Sequence, residues 1–242
     1  AVLKGEGDKT LLSNLQLGAS SILDNKTADT IYETEHDTGH DTGHDTRHDT
    51  SYLGLFAENN GTISDVTLAD PRLRLTSNQE HPFTKLKGVG ILAGRSEGIL
   101  QNITVEADKT AGTSAKAEGE DIDTVYVRLD ETYGAKAAVG GIAGVLAKVT
   151  AAEPDEYQAV RSQIIENLSM DGTMDVQLPA EKKDKKGDAS SVRYGVGGIV
   201  GYAYLANERH GITKLNTCEN HADVTGNLFT GGIVGKLEGS TE

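Results

Sequence analysis

Short segments in which apolar and polar residues alternate recur along the chain in the same order. Each begins with an apolar residue, carries Asp, Asn or Thr at its third position and has an apolar residue or Cys at its fourth. The copies are Ile63–Leu68, Leu100–Val105, Ile165–Met170 and Leu215–Asn220, and we read an earlier copy at Leu12–Leu17. A period of two is the pattern of a half-buried β-strand. The pattern therefore predicts one strand per copy.

The third position of these segments holds Asn14, Asp65, Asn102, Asn167 and Thr217. Asn and Asp tolerate left-handed backbone and bond to nearby backbone groups, so they suit the corners of a repeating structure. We therefore expect these side chains to form a stacked polar ladder at one corner.

A second phrase, rich in glycine, precedes each of the last four segments. Its copies occupy residues 52–57, 89–94, 139–144 and 196–201, and a fifth copy occupies residues 230–235. Glycine inside a strand usually marks a close approach of backbones or a bend. One pair of phrases cannot bury its own apolar face, whereas stacked neighbours form a continuous core. The repeats thus predict an all-β solenoid, and the alternative is an ordinary antiparallel sandwich.

The spacing between repeats varies, which predicts insertions of different lengths between the phrases. We expect these insertions at about residues 18–51, 70–88, 106–138, 147–163, 171–193 and 202–211. Within them, the alternating segment Thr124–Leu129 predicts a strand. Pro154–Gln163 predicts a short helix, because Pro suits the first helical position and acidic residues favour the helix N-terminus.

The composition of the chain argues against nucleic-acid binding and against membrane insertion. The 242 residues include 23 Lys and Arg against 37 Asp and Glu, a net charge of −14. Such a surface repels phosphate backbones and anionic lipid, so we expect no nucleic-acid partner. The longest weakly polar run, Ala137–Val149, is too short to span a bilayer, so we expect no membrane insertion.

We interpret residues 1–242 as one domain of a longer protein, and expect Cys218 to occupy a core position.

Four histidines repeat every four residues at His36, His40, His44 and His48, and each is followed by Asp. Imidazole is a good ligand for Zn²⁺, Cu²⁺ and Ni²⁺, so this tract is a candidate metal site. The alternative is a low-complexity surface loop with adventitious metal affinity.

The catalytic motifs that we tested do not fit the chain. The Asp-Thr-Gly triplets at Asp37 and Asp41 belong to the tandem histidine tract, and no His-Glu-x-x-His, Gly-x-Ser-x-Gly or Walker A motif occurs. We therefore expect no catalytic residue and no cofactor. If the chain binds a ligand, long loops are the favoured place, and Tyr126, Arg128 and Tyr133 are the candidate contacts. An enzyme resembling β-helical polysaccharide lyases or hydrolases is the disfavoured alternative, because the acidic residues of the strand segments are scattered.

The phrases "GGIAG", "GGIVGYA" and "GGIVGKLEG", each associated with an "N-apolar-x-apolar" segment, resemble the GLUG repeat; the segment 196–226 is the best copy. Such repeats occur in the non-catalytic N-terminal region of the immunoglobulin A-specific zinc metalloprotease family of Gram-positive bacteria, and in bacterial adhesins. The resemblance implies a right-handed parallel β-helix-like solenoid in a secreted or cell-wall-attached protein. It implies a substrate-recognition or spacer domain, with a host glycoprotein such as immunoglobulin A and the other domains of the parent protein as partners. The alternative is a repeat domain of an adhesin. The family's zinc motif has no counterpart here.

Overall fold

The computed structural model describes most of the repeat segments and part of the sequence between them. The described residues are 2–4, 10–13, 16–20, 52–69, 71–76, 86–106, 126–129, 137–150, 153–160, 164–176, 194–206, 214–226 and 229–239. All regular elements in these residues are β-strands, and no helix occurs among them. The all-β prediction is therefore confirmed.

The strands are short, as their glycine-rich and alternating sequences lead us to expect. They are β1 (Val2–Lys4), β2 (Thr10–Ser13), β3 (Gln16–Ser20), β4 (Tyr52–Leu53), β5 (Phe56–Asn59), β6 (Thr62–Ala69), β7 (Arg72–Thr76), β8 (Gly88–Gly90), β9 (Ala93–Ser96), β10 (Ile99–Glu106), β11 (Tyr126–Leu129), β12 (Ala138–Gly140), β13 (Ala143–Leu146), β14 (Lys148–Thr150), β15 (Glu153–Gln158), β16 (Ile164–Met170), β17 (Thr173–Val176), β18 (Val196–Gly197), β19 (Val200–Leu205), β20 (Lys214–Asn216), β21 (Glu219–Asn220), β22 (Asp223–Gly226), β23 (Thr230–Gly231) and β24 (Val234–Gly239).

The chain passes through four parallel sheets in a fixed order. Sheet A contains β1, β2, β6, β10, β16, β20 and β21, and sheet B contains β3, β7, β11, β17 and β22. Sheet C contains β4, β8, β12, β18 and β23, and sheet D contains β5, β9, β13, β19 and β24. Each repeat thus places a strand in sheets A, B, C and D in turn, and each strand pairs with its equivalent in the next repeat. The remaining pair, β14 and β15, is antiparallel.

The core is formed by the same sequence positions in successive repeats. Ile63, Leu100 and Ile165 are aligned in sheet A and are buried. Small aliphatic residues from the four sheets fill the space between them, and the buried residues form one cluster. Because each repeat buries its apolar residues against its neighbours, the stack supplies a core that no single repeat contains.

The predicted polar ladder is present. Asp65, Asn102, Asn167 and Thr217 have φ angles of 59°, 54°, 55° and 51°. Asn102 Nδ2 donates a hydrogen bond to Asp65 Oδ1 at 2.8 Å, and Asn167 Nδ2 donates to Asn102 Oδ1 at 2.7 Å. The left-handed backbone turns the chain within sheet A, and short amide side chains stabilise that turn by bonding along the stack. Asn14 lies outside the described residues.

The glycine phrases also have the expected role of permitting close backbone approach. A Cβ atom built on Gly201 would lie 2.7 Å from the carbonyl carbon of Ala138 and 2.8 Å from Gly144 O. Gly235 is equivalent in the next repeat, where a Cβ atom would lie 2.7 Å from Gly201 O. At this position the strand therefore packs against the preceding repeat at a distance that only glycine allows.

The predicted helix at Pro154–Gln163 is wrong. Residues Glu153–Gln158 form strand β15, which pairs with β14. The Tyr157 ring stacks on Tyr202 with the centroids 5.5 Å apart. Burial of this ring against sheet D outweighs the local helix-start signal.

Two predicted alignments are also wrong. In the N-terminal copy, Leu12 pairs with Leu68, not with the Ile63 position, and Leu17 pairs with Leu73 of sheet B. In the first glycine phrase, Leu53 pairs with Val89. The repeat pattern predicts Tyr52 at the position of that valine. Two residues separate Leu53 from Phe56, whereas three separate Val89 from Ala93, so this phrase regains the common register at Phe56, which pairs with Ala93.

Three ranges expected to be insertions contribute a strand to sheet B: β7, β11 and β17. Each repeat therefore contains a strand that the two-phrase pattern did not include. The strand predicted at Thr124–Leu129 is present as β11 at Tyr126–Leu129.

Candidate functional site

The sequence candidates Tyr126 and Arg128 lie on β11, the central strand of sheet B, and Tyr133 lies outside the described residues. Parallel pairing places Tyr126 beside Arg72 and Arg128 beside Arg74 of β7. We call Arg72, Arg74, Tyr126 and Arg128 the sheet B arginine row. Sequence reasoning missed Arg72 and Arg74, because they are remote in the chain and only the strand register brings them to these positions.

Strand alternation separates this row from the core. Val127 pairs with Leu73 on one side and with Met174 on the other, and both of those neighbours are buried. Tyr126 and Arg128 occupy the alternate positions of the same strand. Their partners on β17 are Thr173 and Asp175. The row therefore occupies the set of positions that alternates with the buried set.

The chemistry of the row differs from that of the chain as a whole. Arg72, Arg74, Arg95 and Arg128 are the arginines of the described residues, and three of the four belong to this row of two neighbouring strands. Arginine matches the planar geometry of a carboxylate with two parallel hydrogen bonds. Arg74 and Arg128 are paired in the register of the two strands, and like residues opposite each other on a sheet contribute no ion pair to its stability.

A second cluster, centred on Arg95 of β9, was not predicted from the sequence. Arg95 is only 3% exposed. Its Nη2 donates a hydrogen bond to Glu58 Oε2 at 2.7 Å, and its Nη1 donates to Ala147 O at 3.1 Å. The guanidinium carbon lies 5.5 Å from the centre of the Tyr52 ring.

The β14–β15 ribbon (residues 148–158) packs beside Arg95. Tyr157 of the ribbon stacks on Tyr202 of sheet D, and Tyr202 donates a hydrogen bond from its hydroxyl to Glu238 Oε2 at 2.8 Å. Beyond the ribbon, Val160 N donates to Tyr204 O at 3.0 Å. Burial, and next the neighbouring Tyr52, raise the pKa of Tyr157 well above its usual value.

These contacts define the role of Arg95. Its bond to Ala147 O fixes the point at which the chain leaves β13 for the ribbon, and its charge acts on Tyr157 of the ribbon. In the same column, sheet D carries Val145 and Tyr202. We therefore assign Arg95 a structural role beside the ribbon, since both of its terminal nitrogens donate to protein groups, although its buried Nε has no hydrogen-bond partner.

The described part of the chain contains little that indicates a metal site or a reactive cysteine. No group of three or more His, Cys, Asp or Glu side chains there is arranged to hold a metal ion. The candidate tract His36, His40, His44 and His48 lies outside the described residues. Cys218 packs partly buried against the core, as its column predicted, and burial raises the pKa of its thiol.

Comparison of the chain with protein-family models, with curated proteins and with solved structures finds no match. The resemblance to GLUG repeats therefore stays a prediction from the quoted phrases. Within the described ranges, the structure contains no helix long and apolar enough to cross a membrane.

Proposed function

We propose that this chain is a non-catalytic recognition domain, built as a right-handed parallel β-helix-like solenoid of GLUG repeats. The parent protein would be a secreted or wall-attached bacterial zinc metalloprotease that acts on host immunoglobulin. The observation that carries the recognition role is the sheet B arginine row, and the repeated passage through four parallel sheets supports the solenoid.

The row suggests the chemical class of the ligand. Arg74 and Arg128 lie on neighbouring strands, which are spaced by about 4.8 Å in a sheet. Arginine is the residue type that best matches carboxylate groups, and two arginine positions one strand spacing apart fit an extended ligand that carries them. Tyr126 adds a flat ring that can stack against a sugar face. A host glycoprotein with carboxylate-bearing glycans, such as immunoglobulin A, combines these features.

The test is binding of the purified chain to immobilised immunoglobulin A, before and after enzymatic removal of its sialic acid. The double variant Arg74→Ala/Arg128→Ala should bind at least about tenfold more weakly, which corresponds to a loss of about 1.4 kcal/mol. Because the two positions alternate with the buried positions of their strands, the variant should keep its thermal stability. The matched control is Lys148→Ala, which removes an exposed cation from the β14–β15 ribbon.

Three outcomes would change the proposal. Binding that persists in the double variant would exclude the row as the contact surface. Binding to a different surface glycan, with none to immunoglobulin, would favour the adhesin. A chain that binds neither ligand would be a spacer.

A further inference from the structure

The chain contains one Asn-Gly pair, Asn60–Gly61, in the turn between β5 and β6. Because glycine has no side chain to shield its backbone nitrogen, an asparagine that precedes glycine is the type most prone to lose its amide as ammonia. The Asn60 side chain is exposed to water. The contacts around this turn therefore determine how fast the reaction can proceed.

The equivalent turn of the next repeat, Glu97–Gly98 between β9 and β10, packs directly on this one. Gly98 N donates a hydrogen bond to Asn59 O at 3.1 Å, and Ile99 N donates to Gly61 O at 2.8 Å. A Cβ atom built on Gly98 would clash with Gly61 O. The two backbones lie at a distance that glycine permits, so Gly61 cannot turn unless the next repeat moves.

Hydrogen bonds hold both groups that would react. Gly61 N, the nucleophile, donates to Asn59 Oδ1 at 3.0 Å. Asn59 is buried and its Nδ2 donates to Ser96 Oγ at 3.0 Å, so this acceptor is fixed. The Asn60 amide is oriented by its neighbours, with Nδ2 donating to Glu97 Oε1 at 3.0 Å. The Gly61 nitrogen would therefore have to leave Asn59 before it could reach the side-chain carbon of Asn60.

Glu97 is itself held in place by a second group. Arg95 Nη1 lies 3.8 Å from Glu97 Oε2, and the Glu97 side chain is only 22% exposed. Its carboxylate thus lies between the buried arginine and the exposed amide of Asn60. Loss of that amide would replace a hydrogen-bond donor by a second carboxylate, and two negative charges so close repel each other.

We propose that Asn60 is a deamidation site that the contact between the two turns protects, and that it reacts when the two repeats separate. In the reaction, Gly61 N attacks Asn60 Cγ, the Cγ–Nδ2 bond breaks, and ammonia leaves with the proton of Gly61 N. The product is a cyclic succinimide, which water opens to aspartate or isoaspartate. The new carboxylate faces Glu97, so the turns close less tightly after the reaction and the opening is recorded permanently.

The first experiment measures the rate of the reaction. The purified chain is incubated at mildly alkaline pH, and peptide mapping by mass spectrometry follows the conversion of the Asn60 amide to a carboxylate. We expect the folded chain to react at least about tenfold more slowly than the same chain unfolded in urea. Equal rates in the folded and the unfolded chain would overturn the proposal.

Two substitutions of Glu97 provide a matched comparison. Glu97→Ala removes the acceptor of the Asn60 amide and should raise the rate in the folded chain at least about threefold. Glu97→Gln keeps an oxygen that can accept the same bond and should leave the rate unchanged. Circular dichroism checks that both variants are folded. A folded Glu97→Ala chain that reacts at the original rate would contradict the proposed protection.

The second experiment tests the consequence of the reaction. Asn60→Asp reproduces one product and should lower the Tm by about 3 °C at neutral pH. Asn60→Asp/Glu97→Gln removes the opposing charge and should regain most of this loss, and Asn60→Ser is the control that removes the amide without adding charge. A Tm of Asn60→Asp equal to that of Asn60→Ser would overturn the loosening of the turn. These measurements concern the two turns alone, so their outcome is independent of binding to immunoglobulin A.

Discussion

The repeat through β16–β19 and the repeat through β20–β24 have the same strand order, yet they differ in burial. Leu168 is fully buried, whereas Cys218 at the same position is half-buried. Met174 is buried, and its partner Val224 is partly exposed. The difference shows that burial here depends on having a neighbour on each side, and less on the sequence of the repeat itself. Matched substitutions in the two repeats should therefore have unequal effects.

The largest difference is expected for leucine truncation in one column of sheet D. Leu146→Ala removes a fully buried side chain and should lower the free energy of unfolding by about 3 kcal/mol. Leu237→Ala removes a mostly exposed side chain and should cost less than about 0.5 kcal/mol at low protein concentration. Urea unfolding followed by circular dichroism measures both values. Equal losses would mean that Leu237 is covered in solution.

The next difference concerns two equivalent glycines, Gly198 and Gly232, at the bend between sheets C and D. Gly198→Ala introduces a methyl group against Gly232 O and the Asn220 side chain. We expect it to lower the free energy of unfolding by about 2 kcal/mol, because backbone has to move. Gly232→Ala has open space and should change stability by less than about 0.5 kcal/mol. Thermal unfolding of the two variants side by side tests this, and a destabilising Gly232→Ala would contradict it.

A smaller effect is expected for Arg95 and Lys236. These two cations share one column of sheet D with Val145 and Tyr202. Arg95→Met loses the bond to Ala147 O and the contact with the Tyr52 ring, and should cost about 1.5 kcal/mol. Glu58 is largely solvated, so its loss of a partner adds little. Lys236→Met loses a pair with Glu238 and should cost less than about 0.5 kcal/mol.

Limited proteolysis provides the specific measurement for this pair. The Arg95 variant should be cleaved faster within the β14–β15 ribbon, and the Lys236 variant should be cleaved there at the original rate. Equal cleavage in both would argue that the ribbon is held without Arg95.

The smallest effect is a gain in stability at the end of the polar ladder. Thr217 is β-branched and has a φ of 51°, which is unfavourable for such a side chain. Thr217→Asn relieves this strain and supplies an amide that can donate to Asn167 Oδ1, as Asn167 donates to Asn102. We expect a gain of about 1 kcal/mol in the free energy of unfolding. Thr217→Gly is the control, since it relieves the strain without adding the amide bond.

Sequence predicted the features that recur at fixed positions. The columns through Ile63 and Asp65 were aligned correctly, because alternation and a polar residue at a constant place define them together. Leu12–Leu17 was misaligned because alternation alone fits more than one register of a strand. Pro154 and the acidic residues after it gave a local helix signal, but contact of Tyr157 with Tyr202, far along the chain, determined the strand.

The candidate site likewise contains residues that the sequence predicted and residues that only the fold revealed. Tyr126 and Arg128 were found because they lie in an alternating segment, whereas Arg72 and Arg74 became visible only through the pairing of β7 with β11. At the position of Arg95 the other glycine phrases carry Glu58, Val145, Tyr202 and Lys236, so both charged and uncharged residues occur there. Nothing local distinguishes it as buried, because its cover is the ribbon between β13 and β16.

The parallel pairing between repeats has a mechanical consequence. The hydrogen bonds that join one repeat to the next run along the direction of stacking, so a pulling force along that direction loads them few at a time. In such a stack a terminal repeat detaches first, since it has a neighbour on one side only, and the next follows at a similar force. A chain anchored at one end would therefore lengthen in steps of one repeat under load. It would behave as an extensible tether, with the remaining repeats still folded.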